Sequence, residues 1–324
     1  MTSSGVGVGG ETAGDRAATA MGDAAAGRWE VLRALGSVSR LAPPDGAPVL
    51  AALGLPGWSK ADHTRLFVLE LPPYASIHLG PEGKLGGEGS ERIAGMWRAL
   101  GLEPPADCDH LATLLAFYAH LGESSGACRT AIARDRLEHA RSVLLWEHLA
   151  TWLPGYLHAL SRDPTAGPWC DLLGAALRRE AAESEAPAGL PVALRDAVPP
   201  ISDAFSLDEL LDALVAPIRV GFILTFTDLT LAAGQVGAGL RRGERRYALR
   251  ALLEQEPAGT LGWLGQHASA WAEVHGRGGH VSTLTAGWWR QRALDSATVL
   301  HRLSDLARDA SVPAASPAAG ERGR

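Results

Sequence analysis

RLFVLELPPYASIH, residues 65–78, contains the first decisive break in the chain. Ser59 and Asp62 stand ahead of it at the spacing of a capping box, which predicts a helix carrying Leu66, Phe67 and Leu69. Pro72-Pro73 ends that helix abruptly, since proline has no backbone donor and pushes its predecessor out of the helical region. The diproline fixes the direction in which the aromatic-polar loop Tyr74-Ala75-Ser76-Ile77-His78 leaves.

The same helical logic extends in both directions. Upstream, Trp29, Leu32, Leu35 and Val38 recur at helical spacing and stop before Pro43-Pro44. Residues 1–27 are rich in Gly, Ala, Ser and Thr, and too poor in large apolar side chains to offset the entropy of ordering, so they are expected to be disordered. Downstream, Ser90 is expected to cap a helix with Ile93, Met96, Trp97 and Leu100 on one face, stopped at Gly101. Asp107 or Asp109 is expected to cap the next, whose stripe is Leu111, Leu114, Leu115, Tyr118 and Leu121 and whose end is Gly122. The longest helix is expected from about Cys128 to Leu153, interrupted at Pro154, and another starts at Pro168.

AAESEAPAGLPVALRDAVPP, residues 181–200, has no sustained apolar face and reads as a linker or long loop. Beyond it, Ser206 and Glu209 make a second capping box, and helices are expected near 207–215, 227–235, 244–255, 260–275 and 285–309. The tail 311–324 is low in complexity and expected to be disordered. No alternating β-branched run competes, so the fold class is all-α: a core over 28–180 and a C-terminal helical extension over 201–310.

The net charge of −6 is too weak to define a partner, and no apolar run approaches the ~20 residues that span a bilayer. Cys108, Cys128 and Cys170 lie far apart with no CxxC pair, which fits a reducing compartment and neither zinc nor a disulfide framework. The N-terminus has neither a basic region nor a continuous apolar stretch of an export signal, so a cytoplasmic location is expected. Eleven histidines include no HExxH and no pair at four-residue spacing, so no metal and no cofactor is expected. His139, His148 and His158 read as helix-surface residues. Gly234 to Gly239 follows a helix and reads as its ending loop, since a phosphate cradle needs a strand before it. Ser76, His78 and His110 lack a GxSxG elbow, which argues against a hydrolase and for a protein that is not an enzyme.

Three blocks remain. Leu66-Phe67 leads into Pro72-Pro73-Tyr74-Ala75-Ser76; Asp109-His110-Leu111 follows; and His148-Leu149-Ala150-Thr151-Trp152-Leu153-Pro154 comes third. In order and spacing they resemble the TorD/NarJ-like family, cytoplasmic chaperones for molybdenum-cofactor oxidoreductases, over about residues 27–180. The resemblance implies an all-helical bundle without prosthetic group that holds the apo catalytic subunit of a molybdopterin oxidoreductase until its cofactor is inserted, before export. It implies as further partner the twin-arginine signal peptide of that client. Its motif positions here are Leu66, Phe67, Pro72, Pro73, Tyr74, Ser76, His78, Asp109, His110, His148 and Trp152; Ala75 stands where the family often has an acidic residue.

The residues themselves allow the same reading. An apolar groove walled by Leu66, Phe67, Tyr74 and Trp152 would bury the apolar part of a signal, with Asp109 and Glu147 facing its positive charge. Leu66, Phe67 and Trp152 serve equally well as plain core, Asp109 as a plain helix cap, and His110 and His148 as packing or capping groups. A DNA-binding regulator is the alternative, on Arg241, Arg242, Arg245, Arg246 and Arg250, which an ordinary solvated helix face also explains. A metal-dependent helical hydrolase is third.

Overall fold

In the computed structural model, described for residues 27–240, 243–278 and 280–311, the chain is all-α; among these residues the only β-type pairing is one isolated bridge. The disorder expected of the two ends concerns residues outside those described, apart from residues 27 and 311, which are helical. The first helix, α1 (27–38), buries Trp29, Leu32, Leu35 and Val38, the four positions that its periodicity singles out. Short helices follow: α2 (Ala47–Ala52) and α3 (Lys60–Thr64), the latter started by the Ser59/Asp62 capping box.

After α3 the backbone widens into a π-helical turn, Arg65–Glu70, closed by Leu71 N–H donating to the Leu66 carbonyl at 3.0 Å. Next come α4 (Ala75–Leu79), α5 (Gly87–Ala99) and α6 (Leu111–Gly126). Three local expectations are corrected here. Ser90 lies inside α5, not at its start. The cap of α6 is His110, whose Nδ1 accepts Ala112 N–H at 3.0 Å, and not Asp107 or Asp109. Gly122 does not end α6; it lies against the Trp29 ring, where a Cβ would come within 2.4 Å, so its lack of a side chain serves close packing.

The long helix expected over 128–153 is divided. It forms as α7 (Ala131–Val143), a second π turn (Leu144–Leu149), a break, and α8 (Leu153–Ser161), which has Pro154 in its first turn. Then come α9 (Gly167–Ala182), α10 (Val192–Arg195), α11 (Leu207–Leu214) with the Ser206/Glu209 box, α12 (Pro217–Val220), α13 (Phe226–Val236) and α14 (Arg245–Gln255). The two longest elements close the chain, α15 (Pro257–Gly276) and α16 (Thr283–Ser311), packed against each other along their length.

Residues 181–200 are tied down more firmly than a slack linker. Ala193 and Leu194 of α10 are buried, and the Val192 N–H donates to Glu147 Oε2 at 2.7 Å. Beyond them, the buried side chains of α11 to α16 are continuous with those of the N-terminal bundle. Trp289 Nε1 on α16 donates to the Thr151 carbonyl at 2.8 Å, Arg219 to the Pro81 carbonyl at 2.7 Å, and Arg162 pairs with Asp228 at 2.6 Å. Within the extension, Gly221, in the left-handed region at φ 78°, lets α12 approach α16 closely, since a Cβ there would come within 2.3 Å of Ala293 N.

Candidate functional site

The three sequence blocks meet at one place. Ala75 N–H donates to the Asp109 carbonyl at 3.0 Å and Leu111 N–H to the Pro73 carbonyl at 2.8 Å, forming the isolated Tyr74–His110 bridge. The diproline makes this possible, because it holds the backbone extended where α3 and its π turn would otherwise continue. Asp109 is buried; its Oδ2 accepts Ser76 N–H at 3.0 Å and its Oδ1 the Ser90 hydroxyl at 3.3 Å. It thus caps the start of α4 from a distance, and is not a free charge for a client, which corrects the role expected of it. The Tyr74 and His110 rings meet edge to face at 4.8 Å.

The third block closes over the first. Trp152 Nε1 donates to the His148 carbonyl at 2.8 Å, and the Trp152 ring stacks on His78 with centroids 4.9 Å apart. Tyr156 OH donates to the Leu71 carbonyl at 3.0 Å, and the Thr151 hydroxyl to the Trp146 carbonyl at 2.8 Å. Leu66, Phe67 and Trp152 are therefore core and do not wall an open groove; Pro73, Ser76, His78 and His148 are buried with them, and only Pro72 and Tyr74 are half-buried. Glu147, the other carboxylate expected to face a client, is engaged by Val192. His148 departs from its expected surface position, while His139 is exposed.

Burial sets the electrostatics of this knot. It pushes the His78 imidazole down to about 3, helped by the charge of Arg245, and His148 to about 4, helped by Arg92. His110 is likewise pushed down to about 4, by burial first and Arg40 second. Beside His78 a small cavity of about 20 Å³ lies between the core and the extension, bounded by Trp152, Phe222, Trp271, Trp289, His275 and His280. His275 Nε2 faces the Gly221 carbonyl at 2.8 Å and its Nδ1 faces His280 Nε2 at 2.8 Å, while His78 Nε2 and His280 Nδ1 have no partner among the described residues. Among the described residues, no group of three or more His, Cys, Asp or Glu is placed to hold a metal ion. Nor is there an activated nucleophile at the Ser76 hydroxyl: it is buried and accepts Gly86 N–H at 3.2 Å, while His110 Nδ1 is occupied by its capping bond.

The open feature lies on the other side of the first π turn. A six-residue apolar-rich turn cannot bury every side chain, and in RLFVLE the inward pair is Leu66 and Phe67, leaving Val68 59% and Leu69 67% exposed. They line a cleft of about 910 Å³ together with Lys84, Phe226, Glu244 and Arg245. Val68, Phe226 and the cleft position of Arg245 were not singled out by the motifs. The one signal for the exposed pair is that RLFVLE carries more apolar residues than one helical face holds. Of the arginine array, Arg246 pairs with Asp212 at 2.5 Å and Asp208 at 2.6 Å, and Arg250 pairs with Asp208 as well, while Arg241 and Arg242 lie outside the described residues.

Among the described residues, no helix is long and apolar enough to cross a membrane. Comparison with curated proteins and with solved structures finds no match. The family model described as nitrate reductase delta subunit matches residues 56–157, from just before α3 into α8, and so takes in all three motif blocks. Over those residues the chain is similar to the nitrate reductase delta subunit family, a TorD-like family of molybdoenzyme-maturation chaperones.

Proposed function

We propose that this protein is a cytoplasmic chaperone that binds the apo catalytic subunit of a molybdopterin oxidoreductase and assists its cofactor insertion and assembly before export, without catalysing a reaction itself. The observation that carries the reading is the match over 56–157, which includes every motif residue from Leu66 to Trp152. The cleft beside the first π turn supports it, because an exposed Val68-Leu69 pair is apolar area that a client would remove from water. On this reading Leu66, Phe67, Pro72, Pro73, Ser76, His78, Asp109, His110, His148 and Trp152 act by holding that wall rigid, and Tyr74 and Pro72 are the motif residues with surface left for contact. Rigid walls limit the ordering cost of binding.

The mature apoenzyme is the main contact and the twin-arginine signal peptide a lesser one, since Asp109 is already occupied by Ser76 and Ser90. The experiment is co-purification of the full chain with tagged candidate catalytic subunits, made with and without their signal peptides and held without cofactor. Retention of a cofactor-free subunit, with release on cofactor insertion, is expected. Failure to retain any molybdopterin oxidoreductase subunit would overturn the proposal.

A further inference from the structure

The cleft at the first π turn has a charge opposite to the one a basic signal would require. Four cationic side chains line it, Arg65, Lys84, Arg245 and Arg246, against two acidic ones, Glu70 and Glu244. Glu70 is already engaged: its Oε2 accepts Phe226 N–H and its Oε1 the Thr227 hydroxyl, both at 3.0 Å. Arg65 and Arg246 have carboxylate partners in Asp163 and Asp212. Arg245 differs. It is half-buried, its Nη1 donates to the Leu224 carbonyl at 2.8 Å, and it makes no carboxylate pair among the described residues. A cation withdrawn from water in this way gains most from an incoming anion.

One further feature has the same sign. Helix α14 begins at Arg245 and the Glu244 side chain gives no capping bond, so its first N–H groups also favour negative charge. The exposed Val68 and Leu69 decide the class of partner: a nucleic-acid duplex presents phosphates but little apolar surface, whereas an amphipathic peptide presents both carboxylates and an apolar face.

From this complementarity we infer, on the chaperone reading, that the cleft docks an acidic amphipathic segment of the client's mature chain. Its apolar face covers Val68 and Leu69, and its carboxylates meet Arg245 and Lys84. Recognition then selects for the folded-to-be enzyme and against a twin-arginine sequence, which would place like charges together.

The test uses the full chain and two labelled synthetic helical peptides with identical leucines, one bearing glutamates and the other lysines, followed by fluorescence anisotropy. The glutamate peptide is expected to bind at least about tenfold more tightly, with the difference shrinking as salt rises. Leu69→Asp and Lys84→Glu, both at exposed positions, are each expected to weaken it by about tenfold. Equal or tighter binding of the lysine peptide, indifference to both substitutions, or displacement of the glutamate peptide by duplex DNA at lower concentration would overturn the inference. The cleft and the chaperone reading can fail separately. If a catalytic subunit is retained equally by the parent and by the Leu69→Asp/Lys84→Glu double variant, the docking site is wrong and the chaperone stands. If the peptides are discriminated but no catalytic subunit is ever retained, the docking site stands and the chaperone falls.

Discussion

Asp109 shows how a motif residue can be indispensable without touching a partner. Its carboxylate is the acceptor for the buried Ser76 amide and for the Ser90 hydroxyl. Asp109→Ala leaves that amide unpaired, at a cost of about 1–3 kcal/mol, whereas Asp109→Asn keeps one acceptor and should cost less. Urea unfolding of the two variants measures the difference; equal stability of parent and Asp109→Ala would refute the capping role. Leu69→Ser is expected to behave in the opposite way, changing stability by less than about 0.5 kcal/mol because the side chain is exposed, while weakening retention of the catalytic subunit. The residue letters named Asp109 as a cap but pointed it at its own helix. Its true partner is thirty-three positions away, and spacing along a chain cannot show a cap that acts across two elements.

At the scale of elements, both informative helices share one irregularity. Arg65–Glu70 and Leu144–Leu149 are π turns, each closed by a bond across five residues, Leu71 to Leu66 and Ala150 to Leu145. The extra residue in each turn shifts the register, and in the first turn the result is Leu66 and Phe67 inside with Val68 and Leu69 outside. Apolar periodicity identified a helix at both places, but it assumes a constant turn and so does not reveal where the register slips. Among the C-terminal elements, α12 packs against both α4 of the core and α16. Gly221→Ala combines a strained φ with a collision at Ala293, so a loss of about 1–3 kcal/mol is expected, read as a lower midpoint in chemical unfolding. Truncation after residue 200 should cost more, because it uncovers His78 and Trp152 and removes the Trp289 bond to Thr151. A truncated chain that melts as cooperatively and as high as the parent would show that the extension does not support the core.

At the scale of the whole molecule, buried neutral histidines make stability depend on pH. His78, His110 and His148 have folded values near 3, 4 and 4, below the ordinary value of 6.5, so below about pH 6.5 the unfolded chain binds protons that the folded chain does not. Their contribution is therefore complete above pH 6.5 and is lost as the pH falls toward 4. When all three are protonated only in the unfolded state, the slope reaches about 4 kcal/mol per pH unit. His275 and His280, at the seam between core and extension, shift in the same direction through burial. Melting temperatures across pH 7.5 to about 4.5 should fall steeply, and His148→Gln should flatten the slope if it leaves the fold intact; a flat profile in the parent would contradict the burial of these rings.

Local periodicity and short-range order in the letters carry the helical class, most helix positions, both serine capping boxes and the motif order that makes residues 56–157 similar to the matched family. They also name the stripe of α6 and the buried face of α1 residue by residue. Which motif residues face solvent depends on packing between distant segments. Leu66, Phe67, Asp109 and Trp152 have the chemistry of a binding groove, yet their side chains meet one another across distant segments, and burial depends on what arrives from elsewhere in the chain. The cleft that remains open is equally a product of assembly: its apolar wall comes from the first π turn and the Arg245 cation from α14, joined when the extension docks.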